Sequence, residues 1–183
     1  QARSPVWSKV TAPLLSCGNW GGQGLHPRGN FEGFVRAASD NKWLEAHGRE
    51  HWTEFYTDYG VKLQKRFFDH FLKGDDNGWD KQPRVKLQVR HLDRFVERDE
   101  EDWPIPRTQW TRFYLHSEGM RLSQIPPQET ASISFDALGD GIIFLSDPLE
   151  EQTELTGPSA LKISISSSTS DADLFAIVRV FSP

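Results

Sequence analysis

The sequence predicts an α/β segment over residues 1–83 and an all-β segment over residues 84–183. In the first part, apolar residues recur at helical spacing between short apolar runs that are typical of buried strands. In the second part, short segments alternate apolar and polar residues and are separated by Gly, Pro, Asp and Ser. The 183-residue chain is 37% apolar and 12% aromatic, which is enough to bury a core in each part.

The first part is predicted to follow the order strand, helix, strand, loop and helix. An apolar run at residues 13–15 leads into a glycine-rich turn and predicts the first strand. The first helix is predicted from apolar residues at helical spacing, with Asn30 available as its N-cap. These apolar residues are Phe31, Phe34, Val35 and Ala38.

The segment "KWLEA", residues 42–46, predicts the second strand. The clearest helical pattern in the chain follows, at Tyr59, Leu63, Phe67 and Phe71, and it ends at Lys73 and Gly74. Strands that alternate with helices in this order indicate a parallel α/β unit.

After residue 83 the period changes from that of a helix to that of a strand. The segment "RVKLQVR" places Val85, Leu87 and Val89 on one face. Further strands are predicted in "QWTRFYL", "ASISF", "GIIFL", "ALKISISS" and "DLFAIVRVF". Short strands at this spacing indicate an antiparallel sandwich. The acidic run "ERDEEDW", residues 97–103, is predicted to be a solvated loop.

Composition excludes several classes of function. The net charge of −5 and the lack of a clustered basic face argue against a nucleic-acid partner. No apolar run is long enough to predict a transmembrane helix. Cys17 is the only cysteine, so no disulfide can form within the chain, and a reducing compartment such as the cytoplasm is favoured. Because the chain starts at Gln1 and stops within a predicted strand, it is expected to be part of a longer protein.

The segment "WLEAHGREHW", residues 43–52, carries two histidines four residues apart, His47 and His51. On a helix this spacing would suit a metal, but Gly48 stands where a zinc-peptidase helix needs glutamate. A second interpretation is structural, with each ring bonded to water or to nearby backbone. The third is a general base, because functional groups collect beyond the carboxyl ends of parallel strands and imidazole titrates near neutral pH. All three interpretations stay open on the residues alone.

Four stretches, in this order, resemble the CocE/NonD family of serine hydrolases, which includes cocaine esterase and X-Pro dipeptidyl-peptidases. "WLEAHGREHW" is similar to the family's strand and base loop. "FFDHFLKGDDNGWDKQPRVKLQV" resembles its helix, glycine turn and entry into the C-terminal domain. "EDWPIPRTQWTRFYLHSEG" and "LTGPSALKISISSSTSDADLFAIVRVFSP" resemble segments of that domain. The likeness extends from about residue 13 onward.

The resemblance implies that residues 1–83 are the C-terminal portion of an α/β-hydrolase domain. It also implies that residues 84–183 are the N-terminal portion of a jelly-roll β-sandwich of the galactose-binding-like type, which is expected to be incomplete. Aligned on Trp43 and Leu44, the family's catalytic histidine falls on His51, which becomes the predicted general base.

Two parts of the family's catalytic triad are not found in this chain. The family's nucleophile lies upstream of the matching residues, and no Gly-x-Ser-x-Gly occurs here. The family's acid falls at Gly21, which has no carboxylate. Glu32, Glu50 and Glu54 lie near the predicted base in the sequence, but the pattern does not select one of them as the triad acid.

The sequence thus predicts part of a serine hydrolase that cleaves ester or amide bonds through an acyl-enzyme, this chain alone being inactive. The alternative is a non-catalytic β-sandwich binding or interaction module joined to a degenerate hydrolase segment, which the loss at Gly21 favours. No cofactor and no metal are predicted. The expected partners are a small ester or peptide substrate, and a second copy of the chain or the missing N-terminal part. No nucleic acid and no membrane is expected among them.

Overall fold

The computed structural model describes residues 5–20 and 25–181, and only the backbone of His51. The chain divides into two compact units, residues 1–107 and residues 108–183. Each unit is described by itself. Among the described residues, no helix has the length and apolar character needed to cross a membrane.

A four-stranded mixed sheet forms the centre of the first unit. The strands are β1 (Leu14–Asn19), β2 (Lys42–His47), β3 (Val85–Arg90) and β4 (Phe95–Glu100), and they lie side by side in that order. β2 is parallel to both β1 and β3, whereas β4 is antiparallel to β3. The predicted parallel α/β order is therefore present, and both predicted strands extend further toward their carboxyl ends than the sequence pattern indicated.

Three helices accompany the sheet: α1 (Pro27–Arg36), α2 (His51–Phe55) and α3 (Asp58–Phe68). Asn30 was predicted to be the N-cap of α1, and this is wrong. The helix starts at Pro27, because proline is well suited to the first helical position, where its missing N–H is not needed. Thr57 caps α3 by accepting a hydrogen bond from the Gly60 backbone N–H at 3.1 Å.

The predicted end of the last helix is confirmed. α3 continues as one π-helical turn over Asp69–Lys73, and Gly74 follows in the left-handed conformation with φ of 75°. Glycine adopts this conformation without the steric cost that a Cβ atom brings, so the helix ends here.

The two faces of the sheet carry separate apolar clusters. On one face α1 contributes Phe34, which packs with the even-numbered β2 residues Leu44 and Ala46 and with Val85 and Leu87 of β3. The other face is covered by α3 and the turn after it. Its buried members are Leu63, Phe67 and Trp79, and Leu15, Cys17, Trp43, Tyr59 and Phe71 pack against them. The odd-numbered residues of β1 and β2 therefore face α3.

β3 shows the predicted alternation, with Val85 and Leu87 fully buried. However, it pairs with β2 rather than opening a separate sandwich, and the first compact unit continues to Arg107. The predicted domain boundary near residue 83 stays a prediction. The acidic run was wrongly predicted to be a loop, because its first half forms β4 and Glu100 is buried there against Arg107.

The second unit contains a small antiparallel sheet of β5 (Tyr114–His116) and β6 (Arg121–Ser123). Leu145, in the predicted strand "GIIFL", forms one isolated bridge with Arg121. The segments "ASISF", "ALKISISS" and "DLFAIVRVF" form no strand within residues 108–181. The all-β character is therefore present in part, and a jelly roll is not confirmed.

Candidate functional site

The carboxyl end of β2 carries a buried pair of ionisable side chains. His47 was predicted to lie in a loop, but it is the last residue of β2. Glu45 lies two residues earlier, so both side chains project from the same face of the sheet, toward α3. Only 4% of Glu45 and 2% of His47 is exposed. Their side chains are joined by a hydrogen bond of 2.8 Å between His47 Nδ1 and Glu45 Oε2.

Burial sets the electrostatics of this pair. It raises the pKa of the Glu45 carboxyl, and the hydrogen bond from His47 opposes that shift only in part. The pair can share one proton in two ways. Either an ionised carboxylate accepts from Nδ1–H and leaves a lone pair on Nε2, or a neutral carboxyl donates to Nδ1 and the proton lies on Nε2. Proton location on the two side chains is therefore coupled.

Three buried polar atoms at this edge have no hydrogen-bond partner among the described residues: His47 Nε2, Asn19 Nδ2 and the Tyr59 hydroxyl. Asn19 ends β1 and lies in register with His47, so the two residues are neighbours at the carboxyl edge of the parallel strands. Tyr59 comes from the first turn of α3, and burial together with the charge of Glu45 raises its pKa. The edge thus collects polar groups whose bonding capacity is unused among the described residues.

Cys17 lies beside Glu45 in the parallel register. Burial and the nearby Glu45 raise the pKa of its thiol to about 12. A thiol at this pKa stays protonated at neutral pH, and a protonated thiol is a poor nucleophile. The Cys17 thiol is therefore unsuited to act as a nucleophile.

β3 and β4 support the connection that follows His47. The Gly48 backbone N–H donates to Gln88 Oε1 at 2.9 Å. The Phe95 ring lies so close to Gly48 that a Cβ atom there would be 2.3 Å from it. Beside this contact lies a cavity of about 370 Å³. It is lined by Arg49, Glu54, Thr57, Tyr59, Gln88 and Phe95.

The structure places the predicted base at a helix terminus. His51 is the first residue of α2, and its side chain lies outside the described residues, so its role stays a prediction. Gly21, the predicted position of the missing acid, also lies outside them.

The acidic residues near the predicted base have other partners. Glu32 pairs with Arg36 at 3.4 Å on the exposed face of α1. Glu50 accepts a 2.9 Å hydrogen bond from Trp52 Nε1. Glu54 is buried and lies 3.9 Å from Arg49 Nε.

Trp20 follows β1, where its side chain could line a pocket or pack on the sheet. Its indole Nε1 donates to the Gln88 carbonyl at 2.7 Å, and its ring stacks on Phe31 at 5.3 Å between centroids. These contacts favour the packing role. Within residues 5–20 and 25–181, no group of three or more His, Cys, Asp or Glu side chains is arranged to hold a metal ion.

Sequence reasoning missed the pairing of Glu45 with His47. The signal was available, since residues i and i+2 of a strand share a face and "LEAH" places an acid and a histidine at that spacing. It was missed because the strand was predicted to end one residue before His47.

Comparison with known proteins places the chain in a family. Residues 77–183 match the family model described as the X-Pro dipeptidyl-peptidase C-terminal non-catalytic domain. Two crystal structures of a CocE/NonD family hydrolase from Staphylococcus aureus are similar to this chain. One is 39% identical with a TM-score of 0.63, and it covers 67% of this chain and 22% of its own. The other is 40% identical with a TM-score of 0.59, and it covers 63% and 21%. The chain thus spans about a fifth of the length of these structures. A search of curated proteins found no match.

Proposed function

Because this chain belongs to the CocE/NonD family of hydrolases, we propose that it is part of a serine hydrolase that cleaves ester or amide bonds. The proposal is supported by one observation above all. The carboxyl edge of β1 and β2 presents a buried carboxyl–imidazole pair beside other polar groups that have no partner in the part of the chain that the structure describes. This edge precedes residue 77, where the match to the non-catalytic domain begins.

The proposed reaction proceeds through an acyl-enzyme. A serine hydroxyl attacks the acyl carbon, and a histidine removes the hydroxyl proton and returns it to the leaving alcohol or amine. Water then repeats the sequence and releases the acid. In this proposal the serine and the oxyanion hole come from protein outside these 183 residues. The β2–α2 connection supplies the histidine, and the family resemblance makes His51 the first candidate for it.

We further propose that residues 84–183 contribute to a jelly-roll sandwich in the whole protein. Ile163, Ile165, Ile177 and Val178 lie in segments with the alternating or apolar pattern of strands, yet each is between 45% and 74% exposed here. A sandwich would bury one face of these segments against a second sheet, which is the environment that their composition fits.

The match to a domain described as non-catalytic favours a second candidate function. In this alternative the chain belongs to a binding or interaction module, and the hydrolase segment attached to it has lost activity. The absence of a carboxylate at Gly21 favours it further, because a triad acid orients the imidazole and stabilises the imidazolium.

Labelling and turnover by the whole protein distinguish the two candidates. Reaction with a fluorophosphonate probe reports an activated serine, and release of p-nitrophenol or of an X-Pro p-nitroanilide reports ester or amide cleavage. The hydrolase proposal expects labelling together with turnover of at least one substrate. An intact, folded protein that shows neither would support the interaction module.

A further inference from the structure

We propose that the buried pair of Glu45 and His47 makes the packing of α3 on the sheet depend on pH. In this proposal α3 is held firmly in acidic and neutral solution, and it opens locally as the solution becomes alkaline. Such a dependence is a property of the fold of this chain and does not require hydrolase activity.

The pair lies on the face of the sheet that α3 covers. Trw43 and the two members of the pair alternate on this face of β2, and Trp43 packs with Leu63 and Phe67 of α3. Only 4% of Glu45 and 2% of His47 is exposed, and His47 Nδ1 lies 2.8 Å from Glu45 Oε2. Water therefore reaches these two ionisable groups only when the structure around them opens.

One proton decides whether the buried pair is neutral or charged. The pair has no net charge when a neutral carboxyl lies beside a neutral imidazole, or a carboxylate beside an imidazolium. Loss of one proton leaves a carboxylate and a neutral imidazole, and hence one negative charge in the interior. A buried charge without compensation destabilises the folded state. Burial accordingly raises the pKa of the Glu45 carboxyl, and the hydrogen bond with His47 offsets that shift only in part.

The charged groups that face the pair from α2, β3 and β4 do not compensate this negative charge. In addition to burial, the carboxylates of Glu54 on α2 and Glu97 on β4 raise the pKa of Glu45. Lys86 of β3 lies in register with Glu45, but its ammonium group pairs with Asp99 of β4 at 3.5 Å. Proton loss from the pair therefore adds a negative charge to a region that already carries two.

The remaining titratable groups around the pair stay in one charge state as the pH rises from neutral. Arg49, in the connection after β2, lies 3.9 Å from Glu54, and its side chain is largely exposed. Burial and the charge of Glu45 raise the pKa of the Cys17 thiol on β1 to about 12, and they also raise the pKa of the Tyr59 hydroxyl on α3. Among the described residues under α3, the pair is thus the group expected to lose a proton first.

The direction of the pH effect follows from the shift of Glu45. Because the pKa of this carboxyl in the folded chain lies above the ordinary value of about 4.3, the folded state keeps a proton that the unfolded state releases. The contribution of the pair to stability is complete below that ordinary value. It is lost as the pH rises through the pKa of the folded chain.

The separation of the two apolar clusters confines the effect to one face of the sheet. Leu63 and Phe67 of α3 pack on one face, whereas Phe34 of α1 packs on the other. Since proteins open in local cooperative units, α3 can open while α1 stays packed. Opening would also let water bond three buried polar atoms that have no partner among the described residues. These are Asn19 Nδ2, His47 Nε2 and the Tyr59 hydroxyl.

Hydrogen–deuterium exchange of the whole protein tests the proposal. Peptides from residues 58–73, which contain α3 and the turn after it, report opening, and peptides from residues 27–36 of α1 are an internal control. Exchange is measured from about pH 5 to about pH 9, and each rate is compared with that of the unstructured peptide at the same pH. Glu45→Gln removes the ionisable carboxyl of the pair. Glu32→Gln is the matched control, because it removes an exposed carboxylate from α1.

We expect the protection of α3 in the wild type to fall by up to about tenfold per pH unit once the pair begins to lose its proton. This slope follows because one proton separates the closed state from the open state. Protection of α1 should stay nearly constant over the same range. Glu45→Gln should abolish the pH dependence of α3, and Glu32→Gln should preserve it.

Constant protection of α3 across the pH range would overturn the proposal. A parallel fall in α1 and α3 would also overturn it, because the whole chain would then be losing stability. The same holds if a folded Glu45→Gln protein keeps the wild-type pH dependence. If Glu45→Gln does not fold, the comparison of α3 with α1 in the wild type decides by itself. Turnover and labelling play no part in this test, so the hydrolase proposal stands or fails separately.

Discussion

Two helical glycines provide a matched test of how α2 is held against α3. Gly60 is buried in the first turn of α3, where a Cβ atom would lie 2.1 Å from the Glu54 carbonyl oxygen and 2.9 Å from the Phe55 carbonyl oxygen. Gly29 lies in the first turn of α1, where a Cβ atom would meet nothing within 4 Å. Both glycines are changed to alanine.

The magnitude follows from what must move. Because the atoms near Gly60 belong to the backbone, α2 must shift by about 1 Å to restore ordinary contact distances. Overpacking of this kind costs about 1–3 kcal/mol. The shift also weakens the 3.1 Å hydrogen bond from the Gly60 N–H to Thr57 Oγ1, which caps α3. Loss of such a cap costs about 1 kcal/mol. Alanine returns up to about 1 kcal/mol through its higher helix propensity. The net expectation for Gly60→Ala is a destabilisation of about 2 kcal/mol.

Gly29→Ala should stabilise the protein by up to about 1 kcal/mol, because the same gain in propensity comes without a clash. Urea unfolding followed by circular dichroism at 222 nm measures both free energies of unfolding. If Gly60→Ala is as stable as Gly29→Ala, the close approach of α2 and α3 is absent. The helix that begins at His51 would then not be fixed to α3 in the way described here.

Three further predictions concern the apolar cluster under α3 and two ionisable side chains, Glu100 and Cys17. Trp79→Ala removes a fully buried ring whose centroid lies 5.2 Å from that of the Phe67 ring. This substitution should lower the free energy of unfolding by about 3–5 kcal/mol in the same urea assay. Bonding to Arg107 lowers the pKa of Glu100, so its stabilising contribution is present at neutral pH and is lost as pH falls below about 4. The difference in free energy of unfolding between the wild type and Glu100→Gln should therefore become smaller as the pH is lowered. A difference that stays constant with pH would contradict this prediction. Cys17, with a pKa of about 12, should react slowly with a thiol reagent at pH 8 until the protein is unfolded.

The α/β part was predictable because its signals are local. The stripe at Tyr59, Leu63 and Phe67 repeats at helical spacing, and these residues lie on the face of α3 that is turned toward the sheet. The alternation in "RVKLQVR" correctly gave the buried face of β3. The periodicity of a segment does not indicate which strand it pairs with, however. The pairing of β3 with β2 was therefore missed. A strand of a mixed sheet that is buried on one face and the first strand of a sandwich both alternate apolar and polar residues.

The prediction of a loop for the acidic run, residues 97–103, was wrong for a different physical reason. The many charges in this run predicted that its side chains would be exposed to solvent. Glu100 is nevertheless only 7% exposed, because Arg107 donates a hydrogen bond from Nη2 to its Oε1 at 2.6 Å. A neutralising partner seven residues away permits burial that composition argues against. The segments "ALKISISS" and "DLFAIVRVF" of the second unit show the opposite case, since their strand pattern is clear but they form no strand within residues 108–181.

The end of β2 was predictable from the sequence only to within one residue, and this affects the candidate site. A histidine beyond the carboxyl end of a parallel strand is the expected place for a base, and β2 does end there. The bond between Glu45 and His47 depends on where the strand ends, and strand ends are the least reliable part of a sequence-based prediction. One residue of additional strand turned a solvated loop histidine into a buried partner of a carboxyl.

The position of β3 shows that the matched non-catalytic domain also supports the candidate site. The match begins at residue 77, so β3 and β4 belong to it, yet both lie in the sheet that carries Glu45 and His47. Gln88 of β3 accepts the Gly48 N–H, and the ring of Phe95 from β4 packs on the same glycine. These contacts fix the backbone directly after His47. Strands β3 and β4, which belong to the matched domain, therefore hold the carboxyl end of β2 in place.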